Sequence, residues 1–273
     1  MRKRFGQALR IGLSPHGLAL VKTSRWQGVP TEVLAEHQFS GGVPGFEAMG
    51  AAVRQLLGEH GSAGGPLTVV LDDELARVWQ VKPPHGSTRL ADLEGAAALR
   101  FQTLYGESAS HWKMAGGWDT ARPFLAAAMP RHLLTLLEHA AGEQQATLVE
   151  VVPQFIAAWN QWRGAVRPGA WFGMLQQGVL TLGAVADGSL QAPRSVPVPG
   201  GATLDWLGQH VAREALRLNL APPARLHIAG DAPATWNNAS SGAIACSLLG
   251  VGQGQGRGQL SPAARLAATG ART

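Results

Sequence analysis

Cysteine is nearly absent: Cys246 stands alone in 273 residues. A single thiol excludes an internal disulfide and a cysteine-rich zinc cluster, and it fits a reducing compartment, so the expected location is the cytosol. Long apolar runs are absent too. The longest, Phe124–Met129, is far short of the roughly 20 residues that span a bilayer. Met1-Arg-Lys-Arg4 before apolar residues could open a signal peptide, but Gly12, Pro15, His16 and Gly17 interrupt the run, which reads better as strand and turn. Acidic residues are missing from two stretches: none precedes Glu32, and none lies between Glu150 and Asp187. Charge of any sign is scarce at 15%, while 45% of residues are apolar, enough to bury a sizeable core and suited to two α/β subdomains. The net charge of +5 comes from arginines scattered along the chain, not gathered in one stripe with interleaved aromatics, so nucleic-acid binding is not expected.

What is present is one pattern written twice. Ala8–Leu13 alternates with Leu9, Ile11 and Leu13 on one face; Ser14-Pro-His-Gly17 supplies the turn; Leu18–Thr23 returns as a second strand. Glu32–Phe39 predicts a third strand. Phe46, Met49, Val53, Leu56 and Leu57 then share one helical face, and Leu67–Leu71 follows as a buried strand. After Arg167-Pro-Gly169 the β-β-β-α-β order repeats: Ala170–Leu175, a Gln176-Gln177-Gly178 turn, Val179–Ala186, and Leu190–Val198. A helix N-capped by Thr203 carries Leu204, Leu207, Val211, Ala215 and Leu218, and Ala224–Ala229 completes the copy.

Between the copies, Leu75–Val81 reads as a strand, Leu90, Leu93, Ala97, Phe101 and Leu104 as a helix, His111–Ala128 as a hairpin, and Pro130–Ala141 as a further helix. The expected division is a first half at 1–74, an inserted α+β subdomain at 75–146, a second half at 147–250, and a flexible basic tail at 251–273 without an acid. Glycines 250–258 read as a linker, because no strand leads from them into a helix as a dinucleotide fingerprint requires.

Two ribonuclease-H-like halves with an insert after the fourth strand resemble the actin-like ATPase superfamily, and more narrowly the PilM and GspL proteins of type IV pilus assembly and type II secretion. The stretches that carry the resemblance are Ile11–Lys22, Leu67–Leu71 leading to Pro83-Pro84, Leu148–Pro153, and Leu226–Gly230 followed by Asp231-Ala232. The resemblance implies an α/β, actin-like duplicated fold, with nucleotide corners at Ser14, His16 and Gly17, at Gln176, Gln177 and Gly178, and at Gly230. It also implies a partner: the short cytoplasmic N-terminal segment of a PilN-like inner-membrane assembly protein, bound in the cleft between the first half and the insert. Val69, Leu71, Leu90 and Leu93 are candidates to line that groove, against the plainer reading that they pack a core. Contact with the membrane is expected only through this partner.

Active members resemble Asp-x-Gly at the first hairpin and Asp-x-Gly-x-x-Thr at the second. This chain departs from both, having no acid at either corner. Mg²⁺ requires hard anionic oxygen ligands, and phosphoryl transfer depends on that metal. The expectation is a catalytically inactive adaptor with no cofactor and no metal. The competing class is a small actin-fold ATPase or kinase with non-standard metal ligands. Ser14 and His16 lack a nucleophile elbow and an orienting acid, so they read as turn residues. His111, His132 and His139 lack a patterned set of metal ligands, Asp72-Asp73-Glu74 reads as a solvated turn, and the tryptophans, nine in all, read mainly as core.

Overall fold

A computed structural model describes residues 7–24, 31–61, 64–186, 188–238, 244–250 and 260–271. The first copy forms β1 (Gln7–Ser14), β2 (Gly17–Ser24), β3 (Glu32–Gln38), α1 (Phe46–His60) and β4 (Pro66–Leu71). Then come β5 (Arg77–Val81), α2 (Leu90–Tyr105), β6 (Trp112–Gly116), β7 (Phe124–Pro130), α3 (Arg131–Glu143), β8 (Thr147–Pro153) and α4 (Gln154–Trp162). The second copy is β9 (Trp171–Gln176), β10 (Val179–Ala186), β11 (Ser189–Pro197), α5 (Leu204–Arg217) and β12 (Arg225–Gly230), followed by β13 (Ala245–Leu248) and α6 (Pro262–Ala268).

The strands make two five-stranded sheets of matching topology, β3-β2-β1-β4-β8 and β11-β10-β9-β12-β13, and a separate sheet β5-β7-β6. In each large sheet the first three strands are antiparallel and the last two run parallel to the first, as in β1 with β4 (Ile11 opposite Val69) and β9 with β12 (Gly173 opposite Ile228). The alternation at Leu9, Ile11 and Leu13 does place those side chains in one core, where they meet Met49, Val53 and Leu57 of α1. Thr203 caps α5, its hydroxyl accepting from the Trp206 amide at 3.3 Å.

The structure corrects the expected boundaries in three places. Helix α3 packs against α1, and its Leu133, Leu137, Ala140 and Ala141 fill the first-half core, so the insert ends with β7 and not at 146. Strand β8 belongs to the first sheet, its Val151 opposite Val69 of β4, so the second half does not begin at 147. Within the expected tail, residues 260–271 are built into the fold: α6 lies on β1 and β2, with Ala264, Leu266, Ala267 and Ala268 buried. The linker reading at 250–258 lies almost wholly outside the described residues.

Two helices, α4 and α6, join the halves. Helix α4 leaves the first sheet and packs Phe155 and Trp159 against Phe172 of the second. Helix α6 follows the second sheet and packs on the first. Helix α4 also sets Ala157 against Val70 and Val152 of the first sheet, so it lies between the two sheets and ties the halves together through buried side chains.

Candidate functional site

In open α/β sheets, ligands bind beyond the carboxyl ends of the parallel strands. Here those ends are the exits of β1 and β4 in one half and of β9 and β12 in the other. At the first, the β1–β2 turn is closed by its own side chain. Ser14 is buried, its Oγ accepts from the amides of His16 and Gly17, both at 3.2 Å, and it donates to the Gly17 carbonyl at 3.0 Å. The backbone N–H groups that would cradle a phosphate are therefore satisfied internally. His16 projects into solvent. Glycine is required at Gly17 because a Cβ would sit 2.6 Å from the His37 carbonyl oxygen.

The second turn has both central residues left-handed, Gln177 at φ +46° and Gly178 at φ +80°, the geometry of a type I′ hairpin. Gln176, the counterpart of Ser14, is buried, and its Nε2 has no hydrogen-bond partner. Gly230 closes the adjacent strand exit at φ +93°, where a Cβ would meet the Leu175 carbonyl oxygen at 2.1 Å.

Sequence reasoning looked for metal-holding carboxylates on the hairpins, read Asp72-Asp73-Glu74 as a turn, and gave neither Asp72 nor Asp231 a place at the corners. The Asp72 amide donates to the Leu13 carbonyl at 2.8 Å, and the Asp231 amide to the Leu175 carbonyl at 2.8 Å. The two aspartates are thus equivalent positions of the two copies, one beside each corner. The signal was available: each directly follows the last apolar residues of a buried parallel strand. Neither stands free. Asp72 is only 6% exposed and its Oδ1 accepts from the Glu74 amide at 2.9 Å, while Asp231 is gripped by Arg265 of α6 at 2.9 and 3.1 Å. Among the described residues no group of three or more His, Cys, Asp or Glu side chains could hold a metal ion. His132 and His139 face Glu47 and Glu143 at 2.9 and 3.0 Å and do not converge on a common point.

The acidic run is solvated only in part: Asp72 is buried, Asp73 half-buried and Glu74 exposed. Burial raises the Asp72 carboxyl, partly offset by the Glu74 N–H, and drives Asp73 from 3.8 up to about 7, against the Phe155 N–H that its Oδ1 accepts at 3.1 Å. For Asp73 the folded chain holds the proton to higher pH than the unfolded chain does. Its contribution to stability is therefore fully present below 3.8 and is lost as pH rises through about 7. We expect Asp73→Asn, which keeps the acceptor for Phe155, to gain stability relative to the parent between pH 4 and pH 8. Paired thermal melts across that range check it; a difference that does not change with pH contradicts the assignment.

The four residues expected to line a partner groove are not brought together. Val69 and Leu71 are 0% exposed in the first-half core and Leu93 is 1% exposed in the insert core; only Leu90, at 53%, reaches solvent. A cavity of about 560 Å³ does lie between the first half and the insert, lined instead by Phe46, Leu75, Trp112 and His132, with Arg77 and Glu107 on its walls. Trp112 Nε1 donates to Glu107 at 3.1 Å, and the Arg77 guanidinium lies over the Trp112 ring at 5.4 Å. These residues come from four separate stretches of the chain, which is why periodicity along any one of them did not reveal the groove.

No family model matches the chain, and no curated protein matches it in sequence. Shape is more informative. A protein of Bacteroides thetaiotaomicron with an actin-like ATPase fold and unknown function superposes with TM-score 0.57 at 11% identity over 84% of each chain. The chain has the actin-like fold. Its structural neighbours also include the PilM–PilN type IV pilus biogenesis complex, with TM-score 0.61 and 14% identity over 97% of this chain and 98% of that one. A further neighbour is the cytoplasmic domain of EpsL, an inner-membrane component of the type II secretion system of Vibrio cholerae, with TM-score 0.52 and 13% identity over 83% of each. Among the described residues, no helix of this chain is long and apolar enough to cross a membrane.

Proposed function

We propose that this actin-like chain is a non-catalytic cytoplasmic adaptor that binds the cytoplasmic N-terminal segment of an inner-membrane assembly protein, of PilN type, in a type IV pilus or type II secretion apparatus. The observation that carries the reading is the state of the two corners: the first has its turn amides taken by Ser14 Oγ, and neither hairpin carries a carboxylate of its own for a metal. The near-complete overlap with a chain of the PilM–PilN complex supports the choice of partner. The groove between the first half and the insert suits an extended peptide, with Phe46, Leu75 and Trp112 as apolar contacts and Arg77 and Glu107 as polar ones.

The experiment is a pull-down with the N-terminal cytoplasmic peptide of a PilN-type membrane protein from the same genome. We expect capture by the parent and loss with Phe46→Asp, whose far-ultraviolet dichroism should match the parent's. Capture that survives this variant, or fails with the parent, counts against the groove.

One observation favours the competing ATPase reading: Asp72 and Asp231 stand beside the two corners. Under that reading Mg²⁺ would support nucleotide binding, and Asp72→Asn would abolish it.

A further inference from the structure

A further cavity lies away from the nucleotide corners and shares only Arg77 with the groove just described. It has a volume of about 930 Å³ and separates the insert from the second half, with β5 and α2 on one wall and β11 and the end of α5 on the other. Two properties define what it can hold.

The first is charge. Arg77, Lys82, Arg100, Arg194 and Arg217 all line it, and Asp73 is the sole acid among the lining residues. Arg194 and Arg217 share one carboxylate, Glu214, at 3.9 and 3.4 Å. Lys82 and Arg100 make no ion pair among the described residues, and Arg77 spends its guanidinium on the Glu74 and Ala76 carbonyls and on two aromatic rings. The Asp73 carboxyl is occupied by the Phe155 amide.

The second is backbone. A strand shows every second residue on a face, so consecutive residues line a cavity only where the strand presents its edge. Residues 76–82 line the cavity without a gap, as do 192–195. The sheet orders agree: β5 and β11 are each the end strand of their sheet. Edge β11 is blunted by Pro193 and Pro197 and by the left-handed Ala192 at φ +47°. Edge β5, Arg-Val-Trp-Gln-Val, contains no proline. Tyr105 covers one of its acceptors, the Val78 carbonyl, at 3.3 Å. The Trp79 indole N–H, buried and bordering the cavity, has no partner.

From this we infer a second docking site, distinct from the groove of the proposed adaptor function: an acidic segment of another protein adds as a strand to the open edge of β5, its carboxylates meeting Arg100, Lys82 and the arginines of the facing wall. Backbone pairing supplies affinity and the cationic walls select acidic side chains. The chain's own segments outside the described residues do not fit, because Asp187 is the sole acid among them.

The test uses the full chain and two fluorescein-labelled octapeptides, (Glu-Val)₄ and (Lys-Val)₄, in fluorescence anisotropy at low salt. We expect binding of the acidic peptide, none of the basic one, and a loss of about tenfold or more in affinity with Arg100→Glu/Arg194→Glu. Phe46→Asp, on the other groove, should leave this binding unchanged. The inference is overturned by no binding, by equal binding of both peptides, by indifference to the double variant with an unaltered melting curve, or by loss with Phe46→Asp. Full displacement by millimolar inorganic phosphate would overturn it too, since it would show a small-anion site without strand pairing.

Discussion

Gly12→Ala is expected to destabilise the protein by about 3–5 kcal/mol, a large effect for one methyl group, because overpacking and an orphaned buried charge act together. A Cβ at this position of β1 would sit 2.4 Å from both the Ala263 carbonyl oxygen and the Ala267 nitrogen, which are backbone atoms of α6. No rotamer change relieves such a clash, so α6 must lift. Lifting α6 removes the acceptors of Arg10, which is 8% exposed and donates to the Ala267 carbonyl at 2.8 Å and to the Thr269 carbonyl. It also pulls on Arg265, which holds Asp231 at the second nucleotide corner. Urea denaturation measures the loss, and trypsin cleavage after Arg265 in the native state should accelerate in step. A cost below about 1 kcal/mol would mean that α6 does not lie on β1, contrary to the close approach that makes glycine necessary there.

Phe101→Ala is expected to cost about 3–5 kcal/mol, with the damage confined to the insert. Phe101 is fully buried in α2, with ring centroids 5.0 to 5.3 Å from Tyr105, Trp112 and Trp79. The insert has only three strands and one helix, so losing its central ring removes much of what holds it together while the two large sheets keep their separate cores. Near-ultraviolet dichroism should lose the signal from Trp79 and Trp112, and limited proteolysis should cut within the insert first. Because Trp112 and Arg77 wall the peptide groove, capture of the partner peptide should be lost as well. Uniform unfolding of the whole chain would show instead that the insert is not a separate cooperative unit.

These two residues mark what the sequence could and could not disclose. Phe101 was legible: it falls in a helical stripe with Leu93 and Ala97, and a large ring at that spacing packs inward. The two hairpins were legible for the same reason, since alternation and turn residues are local. Gly12 was not. Its necessity comes from α6, some 250 residues later, a helix of seven residues whose buried face is mostly alanine and gives almost no apolar periodicity. The missed allegiance of α3 and β8 has a related cause, because a parallel strand pairing such as Val69 with Val151 leaves no mark on either segment alone. Val69 and Leu71 failed as groove residues because they sit on a central parallel strand covered on both faces. Their unbroken apolar run, Leu67-Thr-Val-Val-Leu71, is the signature of such a strand and not of a binding surface.

At the site, the absence of acids on the hairpins was correctly read from the chain, but the side-chain closure of the first corner was not. That Ser14 turns its oxygen onto two backbone amides depends on its burial beside β4, where Asp72 is tied to Leu13. A serine in a Ser-Pro-His-Gly turn is compatible with either an open or a closed loop. The fold decides between them by burying that hydroxyl at the end of the central strand β1.

The proposed function rests on two hairpin corners that carry no acid of their own, with Asp72 and Asp231 beside them engaged by the Glu74 amide and by Arg265. Isothermal titration of the purified chain with ATP, run once with Mg²⁺ and once with EDTA, tests it most directly. The account predicts no saturable heat in either titration; micromolar binding that appears only with the metal would contradict it.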